Sequence, residues 1–286
     1  MSKLTQPIKY HGGKGYLAAK IVALMPPHQH YIEPYAGGLS VLLAKGPEGV
    51  SEVVNDLNQD LTCFWSAMQN VGLFESFRRM VEATPFSEIE FEAAKVFFDR
   101  QLTASSFAAT GLTDQEMSKL VTRAVNFFIL CRQSLAGRQK SFAGLTTTRT
   151  RRGMNEQVSA WLTAVEGLPA VHARLKRVLI LNRPAVEVIH KYDGPDAMFY
   201  LDPPYLHETR ATTADYQFEM DEMQHRELLA TVTNETRKGK FMLSGYQSKV
   251  YGEFLGGWKC HTFELPNNAA GGDSKRRMTE CLWCNF

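Results

Sequence analysis

Residues 30–45, HYIEPYAGGLSVLLAK, decide the fold class of this 286-residue chain. Their apolar start predicts a strand, Gly37 and Gly38 predict a tight turn, and the run after Ser40 predicts a helix. SEVVNDLN, residues 51–58, predicts a second strand, and its Asp56 follows the glycine turn by about 20 residues. This spacing is typical of Rossmann-like sheets that hold a nucleoside cofactor, because the acid accepts hydrogen bonds from the ribose. The alternative is a glycine turn that only allows the helix to pack.

Strands and helices alternate again further along the chain. Strands are predicted in RVLILN (177–182), AMFYL (197–201) and KFMLSGY (240–246), and helices in PAVEVIHKY (184–192) and HRELLATVTNETRK (225–238). The closing segments KCHTFEL (259–265) and TECLWCNF (279–286) predict an antiparallel hairpin. The fold class predicted is therefore α/β: a Rossmann-like, doubly wound, mostly parallel sheet with an antiparallel edge hairpin.

Residues 70–172 have little β character and interrupt this alternation. Their amphipathic stretches FSEIEFEAAKVFFDRQL (86–102) and DQEMSKLVTRAVNFFILC (114–131) predict helices. We therefore expect a catalytic domain formed by residues 1–69 and 173–286, with a mostly helical domain inserted at 70–172.

Composition excludes several classes of protein. With 44% hydrophobic residues the chain can bury a sizeable core, and its net charge of +2 does not by itself indicate a polyanionic partner. No apolar run reaches signal-peptide length at the N-terminus or membrane-span length elsewhere, which predicts a cytoplasmic protein. Five cysteines are an odd number, which favours reduced thiols over a disulfide framework. We expect no metal site, because CLWC (281–284) lacks a second CxxC and the pair His28 and His30 lacks a third ligand.

The N-terminal stretch KYHGGKG, residues 9–15, is glycine-rich but is not a phosphate-binding loop. Lys14 is followed by Gly15, where that motif has serine or threonine. A lysine on such a turn, with the ring of Tyr10 beside it, is suited to meet a carboxylate and to stack on a purine. The alternative is an N-terminal turn with a solvated lysine.

The stretch FYLDPPY, residues 199–205, places a carboxylate and an aromatic ring directly after a predicted strand. Prolines cannot donate to a sheet ladder, so the strand must end near Leu201. Asp202 and Tyr205 then lie at the carboxyl end of a parallel strand, which is where ligands bind in open α/β sheets.

This arrangement suits chemistry on an adenine amino group, whose lone pair is delocalised into the ring. If the Asp202 carboxylate accepts one amino proton and the Pro203 carbonyl accepts the other, the lone pair is directed at an incoming carbon. Pro204 restricts the residue before it and so holds that carbonyl in place, and Tyr205 offers a face on which a flipped base can stack. The alternative is a Pro-Pro turn with a capping aspartate.

Four motifs in this order, KYHGGK, IEPYAGGLSVLL, NDLNQDL and FYLDPPY, resemble the Dam-type DNA adenine methyltransferases of the alpha (D12) class. The resemblance runs from about Lys9 to the C-terminus, and the helical insertion separates the third motif from the fourth. It implies S-adenosyl-L-methionine as methyl donor and a target-recognition role for residues 70–172. The residues it assigns to the cofactor are Tyr10, Lys14, Glu33, Pro34, Tyr35, Ala36, Gly37, Asp56 and Asp202, and those it assigns to methyl transfer are Asp202, Pro203, Pro204 and Tyr205.

The chain departs from the family pattern at three places. Leu39 stands where the family usually has glycine, with Gly38 one place earlier, and Tyr10 stands where tryptophan is common. The segment CRQSLAGRQKSFAGL (131–145) does not match the family's GATC-reading hairpin, so the resemblance does not imply GATC as the target.

Positive charge is concentrated in the insertion. Residues 117–155 contain no aspartate or glutamate but carry eight basic residues, including Lys119. We expect them to neutralise DNA phosphates, with Arg138 a candidate for reading guanine, although a solvated basic surface is the alternative. TTTRTRRG (146–153) is predicted to be a flexible basic loop. The proposed DNA-binding residues are Arg123, Arg132, Arg138, Lys140, Arg149, Arg151 and Arg152, with a second cluster of Lys275, Arg276 and Arg277.

Together these features predict a site-specific methyltransferase that acts on the N6 amino group of a flipped adenine in double-stranded DNA and needs no metal. The alternatives are methylation of the cytosine amino group or of RNA, a catalytically silent DNA-binding homologue, and a nucleotide-dependent oxidoreductase. The lack of GxGxxG argues against the last, and the lack of a Pro-Cys pair argues against methylation of cytosine carbon 5. A cognate restriction enzyme as partner, and a monomer or a weak dimer, are left open.

Overall fold

The computed structural model describes residues 4–47, 49–100, 112–145, 147–206, 219–266 and 277–286. Its α-helices are α1 (Ala18–Ala23), α2 (Ser40–Ala44), α3 (Gln59–Gln69), α4 (Val71–Ala83), α5 (Glu88–Arg100), α6 (Asp114–Gln133), α7 (Glu156–Leu175), α8 (Ala185–Tyr192), α9 (Glu222–Val232) and α10 (Lys249–Leu255). Its strands are β1 (His30–Glu33), β2 (Ser51–Asn55), β3 (Thr150–Arg151), β4 (Met154–Asn155), β5 (Val178–Leu181), β6 (Ala197–Leu201), β7 (Lys240–Gly245), β8 (Lys259–Pro266) and β9 (Arg277–Cys284). Seven of the strands belong to one mostly parallel sheet, and β3 and β4 pair separately.

The chain divides into two compact units. Unit 1 comprises Met1–Met25, Gly37–Glu48 and Asn58–Asn182, and unit 2 comprises Pro26–Ala36, Gly49–Leu57 and Arg183–Phe286. Unit 1 thus groups the N-terminal segment with the helices of the predicted insertion. The functional boundaries predicted at residues 70 and 172 stay a prediction.

Unit 2 contains six strands of the main sheet, among them β6, which leads into the FYLDPPY motif. Its strands have the order β2-β1-β6-β7-β9-β8. The pairs β1–β2, β1–β6 and β6–β7 are parallel, whereas β9 runs antiparallel to β7 and to β8. The predicted mostly parallel sheet with an antiparallel edge hairpin is therefore confirmed.

The centre of this sheet is apolar. All five residues of β6 are buried, as expected for a parallel strand covered on both faces. Phe199 and its partner Phe241 on β7 stack with ring centroids 4.7 Å apart. Tyr200 is buried as well, and its hydroxyl lies 3.0 Å from the hydroxyl of Ser244 on β7. This packing fixes the end of β6, where the motif begins.

Unit 1 is mostly helical, and its helices begin at capping residues. The Asn58 side chain accepts hydrogen bonds at the start of α3, and Thr113 with Glu116 forms a capping box at the start of α6. The helices pack through an aromatic core in which Phe64 and Phe77 lie edge to face at 5.8 Å, while Phe128 packs on Trp161 at 5.2 Å. No helix in the described ranges is long and apolar enough to cross a membrane.

The predicted flexible loop at 146–153 is wrong in its second half. Thr150 pairs with Asn155 and Arg151 with Met154, which makes an antiparallel hairpin. Its two-residue turn is Arg152–Gly153, with φ of 58° and 73°. Positive φ at both central positions is the turn geometry that suits the twist of a two-residue hairpin, and glycine at the second position favours it.

Candidate functional site

The FYLDPPY motif lies at the carboxyl end of β6 in unit 2. The strand ends at Leu201, as the two prolines predict. Asp202 is half-buried, Pro203 is buried and Pro204 is half-buried. A half-buried aspartate therefore follows a strand whose residues are all buried.

Tyr205 is held at both ends of its side chain. Its hydroxyl donates a hydrogen bond to the carboxylate of Glu280 on β9, and it lies 3.4 Å from Oδ1 of Asp202. Its ring meets the ring of Tyr246 nearly edge-on, at 4.8 Å and 75°. Burial, together with the charges of Asp202 and Glu280, raises the pKa of Tyr205 well above its usual range. The phenol is therefore a proton donor between two carboxylates.

Glu280 is a residue that the sequence reasoning missed. It is 1% exposed and lies in the strand TECLWC, where it follows the exposed Thr279 and begins a run of buried residues. An acid within an apolar strand is a signal in itself, since carboxylates are almost never fully buried unless they are partnered.

Two tyrosines lie near predicted site carboxylates, Tyr251 near Asp202 and Tyr35 near Asp56. Burial raises the pKa of Tyr251, with smaller contributions from Tyr35 and Asp202. Burial also raises the pKa of Tyr35, and the charge of Asp56 adds to it. The Tyr251 hydroxyl lies 3.1 Å from Nδ1 of the buried His225. Both phenols are therefore neutral near the two predicted carboxylates.

Asn55 fixes the loop that follows β1, and the sequence reasoning missed it too. Its Nδ2 donates to the carbonyl of Pro34 and to that of Arg183, each at 2.9 Å. The backbone carbonyl of Asn55 accepts a hydrogen bond from the backbone N–H of Ala36 at 2.8 Å. The half-buried Asp56 comes next, directly after β2. The end of β2 thus presents the Asp56 side chain, and Asn55, just before it, holds the loop that follows β1.

Glu33 ends β1 and is 2% exposed. Tyr31 lies two residues earlier, on the same face of the strand, and its hydroxyl donates to the Glu33 carboxylate. Burial, with the charge of Glu33, raises the pKa of Tyr31 well above its usual range. The Glu33 side chain is therefore anchored within unit 2.

In unit 1, Tyr10 lies against the glycine turn. Gly37 has a φ of +47°, and a Cβ built on it would be 3.5 Å from the Tyr10 ring. The indole of Trp65 donates to the Gly37 carbonyl at 3.1 Å, and Nδ2 of Asn58 donates to the Tyr10 hydroxyl at 3.3 Å. The ring and the turn are thus positioned together.

The displaced glycine of this turn has a structural explanation. A Cβ on Gly38 would lie 2.7 Å from Nε2 of Gln6 and 3.2 Å from Cβ of Tyr10, so a larger residue here would require the Gln6 side chain to move and would crowd Tyr10. Leu39 instead takes the left-handed conformation, with φ 57° and ψ 32°. Its side chain is fully buried, which offsets the strain of that conformation.

Lys14 is 3% exposed, which contradicts the alternative of a solvated lysine. Its Nζ donates to the Gly12 carbonyl at 3.0 Å. A buried lysine ammonium needs partners to offset its lost hydration, so this residue is held within the N-terminal turn.

Two of the predicted DNA-binding arginines lie inside unit 1. Arg123 is 7% exposed, forms an ion pair with Asp60, and lies over the Phe98 ring at 5.1 Å. Arg132 donates to the Ala160 carbonyl, while its Nε has no partner among the described residues. Burial lowers the pKa of Arg132 to about 10. We therefore leave Arg123 and Arg132 out of the DNA-binding surface proposed below.

Arg138 is exposed in a compact turn that follows α6. The turn contains the short 3-10 helix Leu135–Gly137 and is closed by a bridge between Ser134 and Phe142. Gln139 donates from its backbone N–H to the Ser134 hydroxyl at 3.0 Å. Left-handed residues recur in this turn, at Ala136, Gly137 and Gln139. Arg138 is thus displayed by a backbone with internal hydrogen bonds.

The remaining basic residues differ in their contacts. Lys140, Arg149, Arg151 and Arg152 are exposed. Arg152 forms an ion pair with Glu166 at 3.0 Å, and Arg149 lies 3.9 Å from the Glu156 carboxylate.

The second predicted basic cluster is only partly covered by the structure. Lys275 and Arg276 lie outside the described residues. Arg277 begins β9, and its side chain is also outside the described part.

Comparisons with known proteins and a search for metal groups complete the description. A family model described as D12 class N6 adenine-specific DNA methyltransferase matches residues 10–264. A comparison with curated proteins found no match. Within the described ranges, no group of three or more histidine, cysteine, aspartate or glutamate side chains is arranged to hold a metal ion.

Proposed function

Because the chain belongs to the D12 class of N6 adenine-specific DNA methyltransferases, we propose that Asp202 and Pro203 hold the adenine amino group during methyl transfer. The enzyme transfers a methyl group from S-adenosylmethionine to the N6 amino group of adenine in DNA. The observation that carries the proposal is the half-buried Asp202 carboxylate directly after the fully buried strand β6.

The chain's own residues act on the nucleophile. The Asp202 carboxylate accepts a hydrogen bond from one N–H of the amino group and the Pro203 carbonyl accepts a hydrogen bond from the other, so that the nitrogen lone pair is directed away from the ring. Pro204 restricts the backbone of Pro203 and keeps that carbonyl in one orientation. The cofactor supplies an electrophilic methyl group on its sulfonium sulfur.

We propose that Tyr205 stacks on the flipped adenine. An enzyme that acts on a base must take it out of the duplex, and an aromatic face compensates for the lost stacking. The hydroxyl of Tyr205 is held by Glu280 and its edge by Tyr246, so the ring has a defined plane.

The residues of unit 2 fit the ribose part of the cofactor. Asp56 presents a half-exposed carboxylate at the end of β2, and Asn55 holds the neighbouring loop of Glu33, Pro34, Tyr35 and Ala36 through the Pro34 carbonyl. A carboxylate can accept from both ribose hydroxyls. For Tyr10, Lys14 and Gly37 we propose cofactor contacts on the strength of the family motif.

We propose that residues 70–172 recognise the target. Arg138 is our candidate for reading guanine, since an arginine can donate two hydrogen bonds to that base in the major groove. Phosphate contacts are assigned to Lys140, Arg149, Arg151 and Arg152, and to the sequence-predicted cluster Lys275, Arg276 and Arg277.

The test is to identify the methylated product. The purified protein is incubated with methyl-labelled S-adenosylmethionine and with either double-stranded DNA or RNA, and the nucleic acid is digested to nucleosides. The label should appear in N6-methyldeoxyadenosine. Label in N4-methyldeoxycytidine, or in RNA alone, would overturn the assignment.

A further inference from the structure

Glu280 is a carboxylate in a place where stability alone favours an apolar residue. It is 1% exposed, and Cys281, Leu282, Trp283 and Cys284, which follow it on β9, are all buried. A carboxylate taken out of water loses its hydration, and replacing such groups by apolar residues of similar volume is often neutral or stabilising. Its presence therefore calls for a role other than packing.

The sheet register brings Glu280 to the FYLDPPY motif. Gly245 on β7 pairs with Cys281 on β9, so Tyr246 and Glu280 are the next residues of the same antiparallel register. The rings of Tyr246 and Tyr205 meet nearly edge-on, and the Glu280 carboxylate accepts a hydrogen bond from the Tyr205 hydroxyl. Tyr246, which follows β7, and Glu280 on β9 thus fix the ring of Tyr205, which follows β6.

The Tyr205 hydroxyl has one proton and two carboxylates near it. The hydroxyl donates to Glu280, whereas Oδ1 of Asp202 lies at 3.4 Å, which is long for an O–H donor. A hydroxyl proton given to Asp202 would weaken that carboxylate as an acceptor, because its negative charge would already be engaged.

We propose that Glu280 is a positioning residue for methyl transfer, which accepts the hydrogen bond of the Tyr205 hydroxyl and so sets the plane of that ring and keeps the hydroxyl from binding Asp202 more closely. This inference rests on the roles proposed above for Asp202 and Tyr205. Burial keeps Tyr205 protonated, as its raised pKa indicates, so that the donor is always present.

The first variant is Glu280→Gln, which keeps the shape of the side chain. The amide oxygen is a weaker acceptor, and the amide N–H can donate to the hydroxyl oxygen, which turns the Tyr205 proton towards Asp202. We expect the single-turnover rate to fall roughly ten- to a hundredfold. The affinity for S-adenosylmethionine should stay within about twofold, because Glu280 acts through Tyr205 and not through Asp56.

The second variant tests whether Glu280 influences the rate through the Tyr205 hydroxyl. In a Tyr205→Phe background there is no hydroxyl proton to redirect, so adding Glu280→Gln should lower the rate less than about threefold further. Leu282→Ala, two residues along β9, is the matched structural control. It should lower the melting temperature while leaving the rate of the folded enzyme unchanged.

The outcomes separate this inference from the proposed function. An unchanged rate in Glu280→Gln, or an equal loss in the wild-type and Tyr205→Phe backgrounds, would overturn the positioning role. An Asp202→Ala variant that retains full activity would instead overturn the assignment of the methyl-transfer site. If Glu280→Gln does not fold, Glu280→Asp carries the same test: the shortened carboxylate should lower the rate, and Tyr205→Phe should abolish the difference.

Discussion

Arg123 and Asp60 form a buried ion pair between α6 and α3, with side chains only 8% and 12% exposed. Arg123, one of the eight basic residues of segment 117–155, therefore has a partner within unit 1 and joins two of its helices. Removing one partner of such a pair leaves an uncompensated buried charge.

Arg123→Ala should therefore lower the free energy of unfolding by about 3–5 kcal/mol. Denaturant unfolding measures this loss. The double variant Arg123→Met with Asp60→Leu should recover most of it, because both charges are then gone. A wild-type stability for Arg123→Ala, together with a selective loss of DNA affinity, would restore Arg123 to the DNA-binding surface.

Asp56→Ala should weaken S-adenosylmethionine binding by about 1.5–3 kcal/mol, because the ribose hydroxyls lose a charged acceptor. Isothermal titration calorimetry gives the affinity. Glu253→Gln, at an exposed carboxylate on α10 that pairs with Arg226, is the control and should bind the cofactor as the wild type does. Equal affinities for Asp56→Ala and this control would mean that the ribose is held elsewhere.

Leu39 should show an unusual order of stability on substitution. Leu39→Ala loses a fully buried side chain and keeps the left-handed backbone, so it should destabilise the protein by about 2–5 kcal/mol. Leu39→Gly loses the same side chain but relieves the strain, and should be more stable than the alanine variant by roughly 1 kcal/mol. Thermal unfolding of the pair is the measurement. An alanine variant that is the more stable of the two would contradict the left-handed conformation.

Arg151→Ala should weaken binding to all DNA sequences alike. Arg151 is exposed on the β3–β4 hairpin. Losing one phosphate contact should flatten the dependence of log affinity on log salt concentration by about 0.9. Salt titrations against several unrelated duplexes measure the slope. A loss of preference among those duplexes would show that Arg151 reads bases.

Arg138→Ala should instead relax discrimination at one base pair by about 1–3 kcal/mol, with a salt slope changed by no more than one contact. The comparison uses cognate and single-mismatch duplexes in matched buffers. If Arg138→Ala weakens every duplex equally, the turn at 134–142 contacts phosphates and the reading residue lies elsewhere.

The alternation of strands and helices, and the end of β6, could be predicted because they follow from local rules. Apolar periodicity marked β1, β6 and β7, and the proline pair marked the point where Asp202 leaves the sheet. The β3–β4 hairpin was missed because its turn places Arg152, a residue without turn preference, in a left-handed conformation. Helix α10 was also missed, whereas α4 and α7 fall in the segment predicted to be mostly helical but were not predicted individually.

The contacts that complete the site could not be predicted, because they join residues far apart in the chain. Glu280 meets Tyr205 only through the register of β9 on β7, and Arg123 is neutralised by an aspartate 63 positions earlier. Asn55 looked like an ordinary strand residue, and its role emerges from the carbonyls of Pro34 and Arg183 that it binds.

The measurement that tests the central claim most directly is the single-turnover rate of methyl transfer to adenine by Asp202→Ala, at saturating S-adenosylmethionine and DNA. Losing the acceptor of the amino proton should slow the step by at least ~10²-fold, while circular dichroism shows an unchanged fold. A folded Asp202→Ala variant that forms N6-methyladenine at the wild-type rate would contradict the assignment of the methyl-transfer site to the end of β6.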